Sequence, residues 1–309
     1  MLSAAEGILL SIATVEAGLG VLGNTFIVLV NCMDWAKNNK LSKIGFFLIG
    51  LATSRIFIVC LLTLGAYGKL FYPNKYLSNS LVEIISYIWL TVNHLTVWFA
   101  TSLSIFYFLK IATFSDCIFL WLKRRTDKVF VFLMGCLLTS WVISFSFVVK
   151  LMKDNKVNHR NRTSEMYWET KKFPINYVLI NIGVISLFMM TLTASFLLII
   201  SLWRHSRQMQ SGFSGFRDLN AEAHVKAMKF LISFIILFVL YFVGVAIEII
   251  CTFIPENKLL FIFGFATASV YPCCHSFILI LTNSQLKQAF VKILQGLKFS
   301  EKGKDLRAT

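Results

Sequence analysis

Charge is scarce in this chain. Only 15% of its 309 residues are Asp, Glu, Lys or Arg, against about a quarter in a soluble domain. Those few are clustered between long apolar runs, which excludes an ordinary water-soluble fold. Proline is scarcer still. Pro73, Pro174, Pro255 and Pro272 are the full set, three in connections and one inside the last apolar run, so little interrupts helices. Chemical signatures are missing too. No HExxH occurs, which excludes a metal-dependent intramembrane hydrolase of that type. The last apolar run carries a lysine, Lys258, only at its edge, so a retinal Schiff base at mid-depth is excluded. Cys273, Cys274 and His275 are soft-ligand residue types, but successive helical residues point about 100° apart, so no metal site is expected. The start, MLSAAEGILL, has no basic residue ahead of its apolar run, and no cleaved signal peptide is expected.

What the chain does have is apolar length. Hydrophobic residues make up 57%, thirty of them phenylalanine, and mean hydropathy is +0.72. About 20 apolar residues cross a ~30 Å hydrocarbon core, and lipid-embedded backbone must satisfy its own hydrogen bonds. Seven runs qualify: 7–33, 44–66, 81–110, 128–150, 177–203, 227–252 and 258–282. The expectation is therefore an all-α integral membrane protein. It should be a seven-transmembrane helix bundle forming one domain over 1–309, with a short amphipathic carboxyl-terminal helix at about 284–298 on the inner leaflet.

Two signals orient the spans. The segments taken as inner carry 19 basic residues and those taken as outer carry 10, which places the carboxyl terminus in the cytosol and the amino terminus outside. The contrary feature is the basic outer segment 150–172. It contains the one N-x-S/T match, Asn161-Arg162-Thr163, and such a sequon is used outside the cytosol, so Asn161 is expected to be glycosylated. The net charge of +15 is then topology and attraction to anionic membrane lipid. Split among short loops, it is no nucleic-acid footprint. With this orientation no cysteine lies in an outer loop or at the top of the third span, so no disulfide ties them together.

Polar groups inside apolar spans are costly and functionally suspect. Arg55 lies about 16 Å above the inner end of its span, Asn24 about 14 Å and Pro272 about 15 Å. One depth suits a buried network of Arg55, Asn24 and backbone near Pro272, with the carbonyl freed by the proline ring as a natural acceptor. Such a network either glues the first, second and last spans or switches between states. Ser86, Trp89, Asn93 and Val97 share one face of the third span. Tyr241, Val245 and Glu248 share one face of the sixth. Each residue alone reads as helix packing. Together they suit an apolar ligand cavity with a few placed polar groups.

Beyond the bilayer, LNAEAHVKAMKF offers Asn220 as an N-cap and Glu222–Lys226 as an i,i+4 pair. A helix from about 220 to 252 is ~50 Å long, so the sixth should project into the cytosol. Leu286, Phe290, Ile293, Leu294 and Leu297 form one apolar stripe of the final helix.

Several stretches resemble a known family. LGNTFI, LATSR, WFATSLSIFYFLKIA, FLWLK, SLWRH, FRDLNAEAHVKAMK and HSFILILTNSQLKQAF, spread over about 16–298, are similar to the mammalian bitter taste receptors, the type 2 taste receptors. Phe106 to Lys110 stand where rhodopsin-like receptors carry a DRY-type motif. The resemblance implies a G-protein-coupled receptor, not an enzyme, that needs no cofactor. It implies that bitter small molecules bind an outer cavity between helices 3, 5, 6 and 7. Trp89, Asn93, Tyr241 and Phe265 would contact them, with Ser86, His94 and Glu248 nearby, and a gustducin-like Gα would couple on the inner side. Lys110, Arg204, His205, His224 and Lys226 would meet the Gα carboxyl terminus, or else hold lipid headgroups. Three positions depart from the family: Gly65 for a frequent acid or amide, Phe265 for a glutamate of some members, and Thr282 for a usual glycine. The first two leave Glu248 as the nearest anchor for a cationic ligand. The competing reading is a ligand-gated channel, or another seven-helix membrane protein without G-protein coupling.

Overall fold

The computed structural model describes residues 3–72, 79–111, 117–160, 188–204 except 191, 194, 198 and 202, 219–253 and 257–308. The described residues are almost entirely helical: α1 (Ala4–Asn38), α2 (Lys43–Phe71), α3 (Asn79–Ile111), α4 (Cys117–Arg124), α5 (Thr126–Arg160), α7 (Leu219–Phe253), α8 (Lys258–Thr282) and α9 (Ser284–Ala308). An apolar helical stretch, Phe188–Ser201, is α6. Among the described residues, α1, α2, the first half of α5 and α8 are each long and apolar enough to cross a membrane.

Caps set several boundaries beyond the apolar runs. Ser3 and Glu6 form a reciprocal capping box that starts α1 ahead of the expected residue 7. Asn39, at φ 49°, ends it in the left-handed conformation that asparagine tolerates. Ser42 caps α2 through the Gly45 amide, and Asn257 caps α8 through the Leu260 amide. Asn283 breaks α8 from α9 and accepts from the Gln285 and Leu286 amides at 3.0 and 3.3 Å. α7 starts at Leu219, so Asn220 lies inside its first turn and is not its cap. α5 runs to Arg160, ten residues past the expected 150, because a helix can leave lipid without breaking. α9 runs to Ala308 and is not short. Of the expected fifth span, 177–187 lie outside the described residues.

α4 was not foreshadowed by periodicity, since eight residues give two turns of pattern at most. Within it Trp121 carries the Arg125 guanidinium, Cζ to ring centre 5.2 Å.

The helices fall into two sets. In the first, residues 1–73 and 229–309, α1 lies along α8 and α2, α2 also meets α8, and α9 folds against α8 and α1. Phe26 meets Phe290 edge-on at 5.9 Å, anchoring the start of α9. Farther along, Ile293 and Leu294 remain about half exposed, as a helix resting on lipid requires. α7 packs on α8 at glycine: a Cβ at Gly244 would lie 2.5 Å from the Ala268 backbone nitrogen. In the second set, residues 74–228, α3 packs on α4 and α5. His94 Nε2 and Ser140 Oγ bridge α3 and α5 at 3.0 Å, and Phe106 meets Phe130 edge-on.

Several hydroxyls inside the spans are folded onto their own helices, whereas those of Ser102, Ser195 and Ser269 have no described partner. Thr63, Thr96, Thr101, Ser104 and Thr267 each donate to the carbonyl four residues back, at 2.8–2.9 Å. That removes the cost of a bare polar group in hydrocarbon.

Candidate functional site

In the first set, one polar centre gathers where α2 meets α8. Arg55 is fully buried. Its Nη2 donates to the Tyr271 hydroxyl at 2.5 Å, and its Cζ stands 4.6 Å over the Tyr271 ring. One residue along α8, the Pro272 carbonyl accepts from Asn24 Nδ2 at 3.1 Å, and the same amide also donates to Gly20. Asn24 therefore meets the proline's own carbonyl, not the one its ring frees. The reason is register. Gly20 and Gly23 bring α1 against Cys273 and Ser276, which puts Asn24 level with residue 272, one turn beyond Ala268. Arg55 and Asn24 thus reach adjacent residues of α8 through different groups, and no hydrogen bond between the two is described.

Around Tyr271 the rings of α7 and α8 interlock. Phe234, Phe238 and Tyr241 recur at helical spacing, as do Tyr271 and His275. Phe238 lies 5.3 Å and Tyr241 5.5 Å from Tyr271, while Tyr271 stacks on His275 at 5.5 Å. Tyr241 is buried, and its ring belongs to this wall as well as to the face that carries Glu248. Phe265 is fully buried and Glu248 half-buried. Lys69 belongs to α2, not to a loop. Its Nζ donates to the Cys251 carbonyl at 3.3 Å and sits 4.2 Å from the Phe261 ring centre. Its charge also acts on Glu248. The side chain expected to attract cationic ligands thus already lies in the field of a lysine.

In the second set, Trp89 is half-buried, while Asn93 and His94 are buried. Ser86 lies in α3 three residues before Trp89, its side chain outside the described residues. The structure thus joins Tyr241 to the α8 rings and His94 to Ser140.

Of the inner residues, Arg204 is exposed. Lys110 lies in the last turn of α3 and His224 and Lys226 in the first turns of α7. The side chains of these three, and all of His205 and Asn161, lie outside the described residues.

Sequence reading missed Tyr271, His275 and Lys69. Tyr271 and His275 carried a signal, two polar-tipped rings four apart beside Pro272, within reach of a buried arginine. Lys69 carried none, because its position at the end of an apolar run reads as a loop charge.

Comparison with known proteins covers both sets. The model of the taste receptor protein family (TAS2R) matches residues 1–298. Taste receptor type 2 member 105 of Mus musculus is 88% identical over 299 residues, 97% of this chain and 100% of the relative. Taste receptor type 2 member 105 of Rattus norvegicus is 82% identical over 309 residues, 100% of both chains. Taste receptor type 2 member 114 of Mus musculus is 58% identical over the same full lengths. With described residues that are almost entirely helical, membrane-length apolar helices and a buried Arg55–Tyr271 centre, and matched along nearly its whole length, the chain belongs to the bitter taste receptor family: it is a multi-pass membrane receptor with that family's seven-helix bundle.

Proposed function

We propose that the chain works as a single receptor domain in the plasma membrane, with its amino terminus extracellular and its carboxyl terminus cytosolic. Bitter small molecules bind toward the outer ends of the spans. Trp89 and Asn93 of α3, and Tyr241, Phe265 and Glu248 of α7 and α8, contact them, with Ser86 and His94 contributing beside Trp89 and Asn93. The observation that carries this reading is the family match over residues 1–298, which includes every one of these positions. The residue types add support. A half-buried tryptophan and a buried amide on one helix face are what an apolar ligand with one polar handle requires. The positive charge of Lys69, which acts on Glu248, favours neutral or weakly polar agonists over strong cations.

The signal passes to a heterotrimeric G protein with a gustducin-like Gα. α7 has 35 residues, about 52 Å of helix, which exceeds the ~30 Å hydrocarbon core. Its first turns therefore stand in water. A ligand drives activation only by binding the active arrangement more tightly, and α7 reaches from Glu248 to His224. Displacement of its cytosolic end exposes Lys110, Arg204, His205, His224 and Lys226 to the carboxyl-terminal helix of Gα, whose end is negative through dipole and carboxylate. The test is agonist-dependent guanine-nucleotide exchange in membranes holding only this chain and purified G protein. Exchange that requires agonist supports the receptor. An agonist-gated current with no exchange refutes it in favour of a channel. Within that assay, Lys110→Gln with His224→Gln lowers exchange while agonist binding stays measurable. Unchanged exchange at equal surface levels would assign both residues to lipid anchoring.

A further inference from the structure

Basic residues and aromatic rings meet where α4 turns into α5. The stretch from Cys117 to Phe132 contains Lys123, Arg124, Arg125 and Lys128 against a single acid, Asp127. Arg125 alone separates the two helices, and its backbone joins both. Its amide donates to the Leu122 carbonyl and its carbonyl accepts from the Val129 amide, each at 3.1 Å. The corner is therefore held by the hydrogen bonds of both helices. Arg124, Arg125, Asp127 and Lys128 are exposed there, and Arg124 and Lys128 have no ion-pair partner among the described residues. The Arg125 guanidinium lies over the exposed Trp121 ring. Stacking fixes its plane and leaves its N–H edge for an acceptor.

Apolar surface begins one turn beyond this corner. Val131 is 69% and Phe132 67% exposed, and both belong to the membrane-length stretch Thr126–Ile143. Together with Asp127 and Lys128 they line an open groove of about 360 Å³. A ligand seated there meets hydrocarbon at one end and cations at the other, which is the division a phospholipid carries. Trp121, beside the cations, is the residue type that sits at the boundary between the two zones.

We propose that this groove binds a phosphoinositide, an anionic phospholipid whose headgroup bears phosphates beyond the one on its glycerol. An acyl chain lies along Val131 and Phe132, and the phosphates meet Arg124, Arg125 and Lys128. Charge selects this lipid, because a cluster of cations suits a headgroup of several negative charges better than the single net charge of phosphatidylserine. An acidic protein surface would match the cations but leave the apolar end of the groove uncovered. The cytosolic placement of the corner rests on the orientation proposed above; the binding chemistry does not, and a measurement in detergent is independent of it.

Full chain purified in detergent is titrated with fluorescent dioctanoyl phosphatidylinositol bisphosphate and read by polarisation, with dioctanoyl phosphatidylserine as competitor. Each basic residue near an anionic lipid contributes about fivefold to binding. Saturable binding is expected, weakened about tenfold or more by the combined Arg124→Gln, Arg125→Gln and Lys128→Gln. Removing as many charges from the tail, by Lys298→Gln, Lys302→Gln and Lys304→Gln, should change it by less than about twofold. Binding that does not saturate, equal weakening by both sets, or equally effective competition by phosphatidylserine overturns the proposal. So does a corner variant that binds the lipid normally yet loses agonist-dependent nucleotide exchange, which would give the surface to the G protein. Should the corner variant fail to fold, a phosphoinositide with a photoreactive acyl chain decides the matter on the unaltered chain. Crosslinks within 120–132 support the site, and their absence there overturns it.

Discussion

Gly244→Ala tests a close approach of two helices with a single methyl group. The added Cβ would stand 2.5 Å from the Ala268 nitrogen, 2.9 Å from its Cα and 2.9 Å from the Gly264 carbonyl oxygen. An ordinary carbon contact needs about 3.5–4.0 Å, so α7 and α8 must part by roughly 1 Å. All three obstructing atoms are backbone, and no rotamer change relieves them. A gap of that size forfeits a quarter to a half of the dispersion energy of the atoms lining it, and overpacking costs about 1–3 kcal/mol. Against this, alanine is a better helix former than glycine by about 1 kcal/mol. The net expectation is a loss of up to about 2 kcal/mol, read as a fall of up to roughly 3 °C in unfolding midpoint for a chain of this length, against a rise in the control below. Gly18→Ala is the control, because a Cβ there meets nothing within 4 Å and should keep the propensity gain. Thermal unfolding of both variants in detergent makes the comparison. If Gly244→Ala matched Gly18→Ala within about 1 °C, the close approach of α7 and α8 would be refuted.

Other perturbations address the proposed function. Trp89→Ala removes an aromatic wall worth up to about 3 kcal/mol, so agonist potency should fall about tenfold or more at unchanged surface level; full potency for every agonist in both Trp89→Ala and Asn93→Ala would move the site elsewhere. Lys69→Gln takes away the charge acting on Glu248, so cationic agonists should gain about threefold or more over neutral ones, and equal changes in both classes would detach Lys69 from selection. Deglycosylation should increase the gel mobility of the chain from mammalian cells, and Asn161→Gln should abolish that change; an unmodified native chain would contradict the assigned orientation.

The sequence by itself determined the solvent and the secondary structure. Lipid leaves backbone only helix or barrel as a means of satisfying its hydrogen bonds, so long apolar runs without proline become helices whatever they pack against. The last span, expected at 258–282, is found as Lys258–Thr282. Side-chain chemistry at mid-span was equally legible, because an arginine in hydrocarbon announces itself by cost. Partners were not legible. Arg55 and Asn24 were expected in one network, yet they reach Tyr271 and the Pro272 carbonyl separately. That division depends on how α1 is seated on α8, which Gly20 and Gly23 set by close approach. Lys69 likewise read as a loop charge until the ends of α2, α7 and α8 were seen to bring it to Cys251, Phe261 and Glu248. Periodicity reports which face of a helix is apolar. Which residue of another helix lies opposite is decided by interhelix distance and register, quantities that exist only after the helices have packed.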